Sequence, residues 1–259
     1  MRDLRATLVQ TMLHWEDAAA NRAMLAAKLS PLKGTTDLVL LPEMFTTGFS
    51  MRSAEMAEDM EGPTVAWLRE QASWLDAALY GSVIIREGER CFNRGLFVTP
   101  EGAITVYDKR HLFRFADETS HYAAGKERVV VHWRGWRLLL QICFDLRFPV
   151  FARNRGDYDA ILYVANWPEA RRYPWSQLLI ARAIENQCCV LGANRVGMDG
   201  KGIHYTGDSV AIDPKGAVIA SCAPSQECAV TCVLDGDALA EFRQKFPVAQ
   251  EADDFELRG

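Results

Sequence analysis

Residues 140–149 read LQICFDLRFP, and the run changes character at Cys143. Upstream, back through Trp136, the chain is strand-like and largely apolar. Downstream come Asp145, Arg147 and Pro149, and a proline opening the stretch to Arg155 suits the first turn of a short helix. Inside a buried strand a cysteine is an ordinary small hydrophobe. At Cys143 it stands instead where a strand ends and charge begins. Layered α/β folds bind their ligands at the carboxyl ends of strands.

The same alternation continues outward. VVVHWRGWRLLLQIC reads as two strands joined at Arg134-Gly135, and AILYVAN as a buried strand. Trp175 to Gln187 has helical spacing, and CCVLGAN follows as a strand. Toward the N-terminus, Leu4 to Val9 and DLVLLPE read as strands, with helices over Asn21–Leu32 and Pro63–Ala77. Residues 78–109 give three strands with turns at Glu87-Gly88 and Pro100-Glu101-Gly102. DSVAIDPKGAVIASC and ECAVTCVLD suggest a three-strand meander, and Asp237 to Phe246 a closing helix. Strands covered by helices, in one large mixed sheet or in more than one, follow from this order. No Ser- or Pro-rich linker divides the chain, so residues 1–259 read as one domain. The polar tail, about 247–259, carries Phe255 and Leu257 and leaves two readings, packing on a partner subunit or fraying.

The chain has 259 residues, 49% hydrophobic and 24% charged, with net charge −5. An acidic chain without a dense Lys/Arg block gives no electrostatic reason to expect nucleic acid or an anionic membrane. The N-terminus is too interrupted by charge for a secretion signal, and no apolar run approaches bilayer length. A cytoplasmic protein is expected. Seven cysteines, an odd number, with no Cys-x-x-Cys pair favour neither disulfides nor structural zinc.

Three strand-like runs end in reactive side chains: Glu43 after LVLLP, Lys109 after ITVYD and Cys143 after RLLLQI. Each has a plain alternative, as a loop charge, a solvated strand end or a core thiol. Together they supply complementary chemistry. A thiol is nucleophilic only as the thiolate, and a neighbouring carboxylate can take its proton at the moment of attack. Attack on an amide puts negative charge on the carbonyl oxygen, which a cation and a backbone N–H stabilise. Lys109 is the natural cation. The amide of Phe144 is the natural N–H, because the chain turns just after Cys143. His111 and His121, with Asp117, lack a metal-ligand spacing, and no metal is expected.

At these residues the chain resembles the nitrilase (carbon–nitrogen hydrolase) superfamily. The signature falls in order as LPEMFTTGFS, YDKRHLF and CFDLRFP, supported by LYVANWP, ARAIENQ, NRVG and GDSVAIDPKG. The resemblance implies an α/β fold of the four-layer α-β-β-α sandwich type, with two mixed sheets. It also implies Glu43, Lys109 and Cys143 as catalytic residues. A second family glutamate falls on Glu118 in FADETSHYAAG, with Asp117 adjacent. Phe144-Asp145 after the nucleophile, in place of the Trp-Glu of nitrile-cleaving members, is similar to the omega-amidase branch. That branch hydrolyses the terminal amide of 2-oxoglutaramate and 2-oxosuccinamate, without a cofactor, and family members commonly form homodimers. Such a substrate ends in a carboxylate, which a guanidinium binds well. Arg147, one helical turn past Cys143, suits that task, unless it pairs with Asp145 or Asp159. Arg195 and Arg171 are further candidates, and Phe45, Phe113 and Trp167 adjoin the motifs as candidate pocket walls. Rival readings keep the chemistry with a nitrile, an N-carbamoyl amino acid or an aliphatic amide. Others make the chain a non-catalytic small-molecule binder or a metallohydrolase.

Overall fold

Successive strand residues point to opposite faces, and here both faces are buried. In β1 (Leu4–Gln10), Leu4, Ala6 and Leu8 join one apolar cluster and Val9 joins another. The computed structural model, which describes residues 2–257, has a second sheet on one side of this strand and helices on the other. The first half continues with α1 (Ala18–Leu29), β2 (Leu38–Leu40), α2 (Ser53–Met56) and α3 (Pro63–Leu75). Then come β3 (Ala78–Glu87), β4 (Arg90–Val98), β5 (Ile104–Asp108) and α4 (Glu118–His121). Leu38 and Leu40 face the inter-sheet core, while Val39 packs under Leu25 and Leu29 of α1 and Leu68 and Ala72 of α3.

The second half runs β6 (Val130–Trp133), β7 (Trp136–Ile142), α5 (Pro149–Ala152), β8 (Ala160–Ala165) and α6 (Arg172–Asn186). It closes with β9 (Cys189–Asn194), β10 (Val196–Met198), β11 (His204–Thr206), β12 (Val210–Ile212), β13 (Val218–Ser221), β14 (Cys228–Leu234) and α7 (Gly236–Lys245). Trp175, Leu179 and Ala183 of α6 cover the second sheet. The result is the four-layer α-β-β-α sandwich with two mixed sheets that the resemblance implied.

Strand order is β14-β1-β2-β3-β4-β5 in one sheet and β13-β12-β9-β8-β7-β6 in the other. β1, β2 and β3 run parallel, as do β7, β8 and β9. β5 is antiparallel to β4, which is antiparallel to β3, so β5 again runs with β3. The carboxyl ends of β2 and β5 therefore lie at the same end of their sheet. Tyr80 spans the interface, its hydroxyl donating to the Gln141 carbonyl at 3.1 Å.

One expectation is corrected. β14 does not extend a meander with β12 and β13. It crosses to the first sheet and pairs with β1 from Leu4↔Leu234 to Gln10↔Cys228. That ladder closes what would otherwise be an open edge of β1, and buries Cys232 and Leu234 between the sheets. β10 and β11 form a separate hairpin around residues 199–203. In the tail, the Arg155 guanidinium lies 4.5 Å from the Phe255 ring centre. Its last two residues, Arg258 and Gly259, lie outside the described residues.

Candidate active site

Four strand ends converge, three of them lining one cavity and the fourth, at Glu43, bonded behind it to Lys109 and Asn166. Glu43 lies three residues past β2, Lys109 directly follows β5, Cys143 directly follows β7 and Asn166 directly follows β8. The cavity is lined by Lys109, Cys143, Asn166, Phe49, Phe113 and Trp167, among others. Cys143 holds a left-handed backbone, φ 45°, at the start of a short 3₁₀ turn over Cys143–Arg147. A non-glycine residue there costs on the order of 1–3 kcal/mol, so packing around it must hold it. The first amides of a helical turn have no intrahelical acceptor, which leaves the Phe144 N–H available at the cavity.

Lys109 is completely buried. Its Nζ donates to Glu43 Oε1 at 2.8 Å and to both oxygens of Glu118 at 3.0 Å. Burial alone would pull the lysine's pKa down, but Glu118 and Glu43 outweigh it and hold the ammonium above its ordinary value. Glu118 opens α4, accepts the Phe113 N–H at 2.5 Å and is pushed up by burial, with Lys109 opposing. Asn93 Nδ2 ties the two carboxylates together, donating to Glu43 Oε1 at 2.8 Å and Glu118 Oε1 at 3.1 Å. The Cys143 thiol is pushed well up, by burial first and then by Glu43, against a smaller pull from Lys109. Two carboxylates against one ammonium make a further anion unfavourable. At rest the sulfur keeps its proton.

Behind this cluster, Asp145 is fully buried and accepts from four donors. These are Tyr107 Oη at 2.7 Å, the Ile142 N–H at 3.0 Å, the His111 N–H at 3.0 Å and His111 Nδ1 at 2.7 Å. His111 stacks on Phe148 at 3.8 Å. The chain on both sides of Lys109 is thus bonded to the turn that carries Cys143. His121 pairs with Asp117 at 3.4 Å, apart from His111.

Arg147 pairs with neither Asp145 nor Asp159, the latter being taken by Arg137 and Arg243. It lies 5.2 Å from the Trp167 ring, and Arg171 lies 5.1 Å from the Phe113 ring. Both guanidiniums line the cavity, and neither has a carboxylate partner among the described residues. Phe45 and Arg195 are placed elsewhere. Phe45 packs in the helix-side core against Trp67, because the residue after Glu43 takes a left-handed turn that sends the chain back over β3. Arg195 is buried over Tyr205, its Nε and Nη2 spent on the Val196 and Met198 carbonyls. Neither lines the cavity. Asn93, Asn166 and Asp145 were missed as site residues. A lone asparagine in the apolar strand around Phe92 was the available signal for the first, since a buried amide must be bonded.

A sandwich of two mixed sheets with a cysteine, a lysine and two glutamates at converging strand ends defines a class. The carbon-nitrogen hydrolase family profile matches residues 5–244, and the chain belongs to that family. Among its relatives is omega-amidase YafV of Escherichia coli, 48% identical over 259 residues, covering 99% of this chain and 100% of that protein. 2-Oxoglutaramate amidase of Bacillus subtilis is 35% identical over 217 residues, covering 82% of this chain and 83% of that one. The crystal structure of XC1258 from Xanthomonas campestris, a CN-hydrolase superfamily protein with an arsenic adduct in its active site, superposes with TM-score 0.98. It is 53% identical and covers 100% of both chains.

Proposed function

We propose that this protein is an omega-amidase, hydrolysing the terminal amide of 2-oxoglutaramate or 2-oxosuccinamate to the 2-oxo dicarboxylate and ammonia. The observation that carries this is one cavity lined by Lys109, which the buried Glu43 and Glu118 back, by a cysteine at a left-handed turn, and by two guanidiniums without carboxylate partners. The omega-amidases among its relatives support the substrate class.

The amide carbonyl oxygen sits between Lys109 Nζ and the Phe144 N–H. In this mechanism both Glu118 oxygens, each 3.0 Å from Nζ, share one N–H, and the third donor of Lys109 goes to the substrate. Glu43 takes the Cys143 proton as sulfur attacks the carbonyl carbon. The tetrahedral oxyanion meets donors already fixed in a water-poor site. Glu43 returns the proton to nitrogen, the C–N bond breaks and ammonia leaves a thioester. Water, deprotonated by Glu43, attacks the thioester and restores the thiol. No step needs a cofactor. Glu118 holds the lysine and the Phe113 loop. Arg147 takes the substrate's distal carboxylate, with Phe113 and Trp167 as walls.

Residues 1–259 work as one domain in this proposal, and the protein acts as a cytoplasmic homodimer. Tyr173 and Ile184 of α6 and Val150 of α5 are exposed apolar residues on the helices beside the nucleophile turn, which supports a self-association face there. Among the described residues no helix is long and apolar enough to cross a membrane.

Ammonia release from 2-oxoglutaramate, compared with glutamine, asparagine, a simple aliphatic amide and a nitrile, tests the function. Turnover favouring the keto-acid amide is expected. Equal or better turnover of the nitrile or the uncharged amide would replace it with another carbon–nitrogen substrate.

A further inference from the structure

The nitrogen of the substrate amide needs a partner as much as its oxygen does. Among the groups lining the cavity, Lys109, Arg147 and Arg171 offer donors and no acceptor. The Tyr205 hydroxyl is turned to Asp199 Oδ2 at 3.0 Å. Asn166 is the exception. It is 5% exposed and lines the cavity beside Cys143. Its backbone N–H donates to Glu43 Oε2 at 2.8 Å, and its Nδ2 donates to the Glu43 carbonyl at 2.5 Å. Those contacts settle which way the side-chain amide points. A backbone carbonyl only accepts, so the NH₂ group faces Glu43 and Oδ1 lies on the other side. Oδ1 is buried and has no donor. A buried amide oxygen normally has a donor, and on a residue that lines the cavity a molecule bound against it can bring the one that is missing. The other orphan amide oxygens, on Asn93 and Gln141, belong to residues that do not line it.

We propose that Asn166 Oδ1 accepts a hydrogen bond from the N–H of the scissile carboxamide, making this site selective for amides over esters and nitriles of the same acyl group. The carbonyl oxygen is read by Lys109 and Phe144, and the nitrogen by Asn166. The arrangement also serves the chemistry. Asn166 holds one oxygen of Glu43 through its backbone, so a single residue places both the proton donor and the nitrogen that receives the proton. An ester or nitrile carries no N–H and leaves Oδ1 unpartnered. Sites built to bond a particular polar group discriminate strongly against analogues lacking it.

The inference rests on the amidase function proposed above, and the test separates the two. kcat/KM is measured for 2-oxoglutaramate and for its counterpart with a methyl ester in place of the amide, by ammonia and methanol release. The proteins are wild type, Asn166→Ala and Asn166→Asp. Asn166→Ala is expected to lower the amide-to-ester ratio by about 10- to 100-fold, the usual scale for one hydrogen bond in a closed site. Asn166→Asp should recover most of that ratio. Buried beside Glu43, the new carboxyl is held protonated, its O–H donating to the Glu43 carbonyl and its other oxygen standing where Oδ1 stood. Equal loss on both substrates, no loss on either, or an Asp variant no better than the Ala variant would overturn the assignment. Wild-type protein that turned over neither substrate would overturn the amidase function itself.

Discussion

Glu43 has two opposed effects on one sulfur atom. Its charge stands second only to burial in raising the Cys143 thiol, yet in the proposed mechanism it is the base that takes the thiol's proton. Glu43→Gln separates them. Without that charge the pull of Lys109 favours the thiolate more, so the pH midpoint for Cys143 alkylation by iodoacetamide moves down. Amide turnover should meanwhile fall by about 10²–10⁴-fold, the range for a positioned general base. An unchanged or raised midpoint would contradict the electrostatics. Arg147 makes a second prediction at this scale. A charge-assisted bond in a closed site is worth about 1.5–3 kcal/mol, or roughly 10- to 100-fold. Arg147→Ala should raise KM for keto-acid amides by that factor while hardly moving it for uncharged amides of similar size. Equal effects on both would assign the carboxylate elsewhere, with Arg171 next in line. The reactive residues were legible because each interrupts an apolar strand at its end. Phe45 was misplaced because adjacency to a motif says nothing about direction when Met44, at φ 42°, turns the chain away.

Among the elements, the 3₁₀ turn over Cys143–Arg147 depends on Asp145, which carries the load between two sheets. It bonds Ile142 in β7, Tyr107 in β5 and the backbone N–H and Nδ1 of His111 just past Lys109. Lys109 and Cys143 are thereby held against each other by a side chain that touches neither. Asp145→Ala leaves several buried donors unmet, at a cost of about 3 kcal/mol. For a chain of this length that corresponds to a Tm lower by roughly 6–12 °C. The discriminating measurement is Asp145→Asn, which keeps the shape but replaces one acceptor oxygen with a donor. It should lower kcat more than it raises KM, since substrate contacts survive while thiol and lysine lose alignment. A variant affecting KM alone would mean that Asp145 shapes the pocket instead. None of this was visible in sequence, where Asp145 looked like a helix-start charge beside Arg147. Periodicity finds the strands, but the partners of a buried carboxylate come from another sheet. The same limit hid β14, whose alternation shows two faces and not which edge it will join.

At the scale of the molecule, β14 clasps β1 while the chain before it belongs to the opposite sheet, so one ladder binds the two halves. The core it closes contains thiols that resist ionisation. Burial is the leading cause in each case: Cys188 is pushed well up, Cys189 up to about 12 and Cys232 up to about 11, alongside Cys143. The buried phenols Tyr80, Tyr107 and Tyr158 are raised for the same reason. The sign of the consequence is fixed. Above pH 9 an unfolded chain releases thiol protons that the folded chain keeps, so unfolding becomes easier as pH rises. Below that value these groups are protonated in both states and contribute no slope. Each thiol contributes about 1.4 kcal/mol per pH unit once its ordinary value is passed. Four of them approach the entire stability of a typical domain, about 5–15 kcal/mol, by roughly pH 10–11. Thermal melts under reducing conditions should therefore be nearly level between pH 7 and 8.5 and drop steeply above pH 9. Replacing Cys188 and Cys189 together by alanine should lower the starting Tm but cut the alkaline slope by roughly two fifths, since burial raises Cys222 as well. A melt that stays level to pH 10.5, or a double variant with an undiminished slope, would show that the thiols ionise within the folded protein.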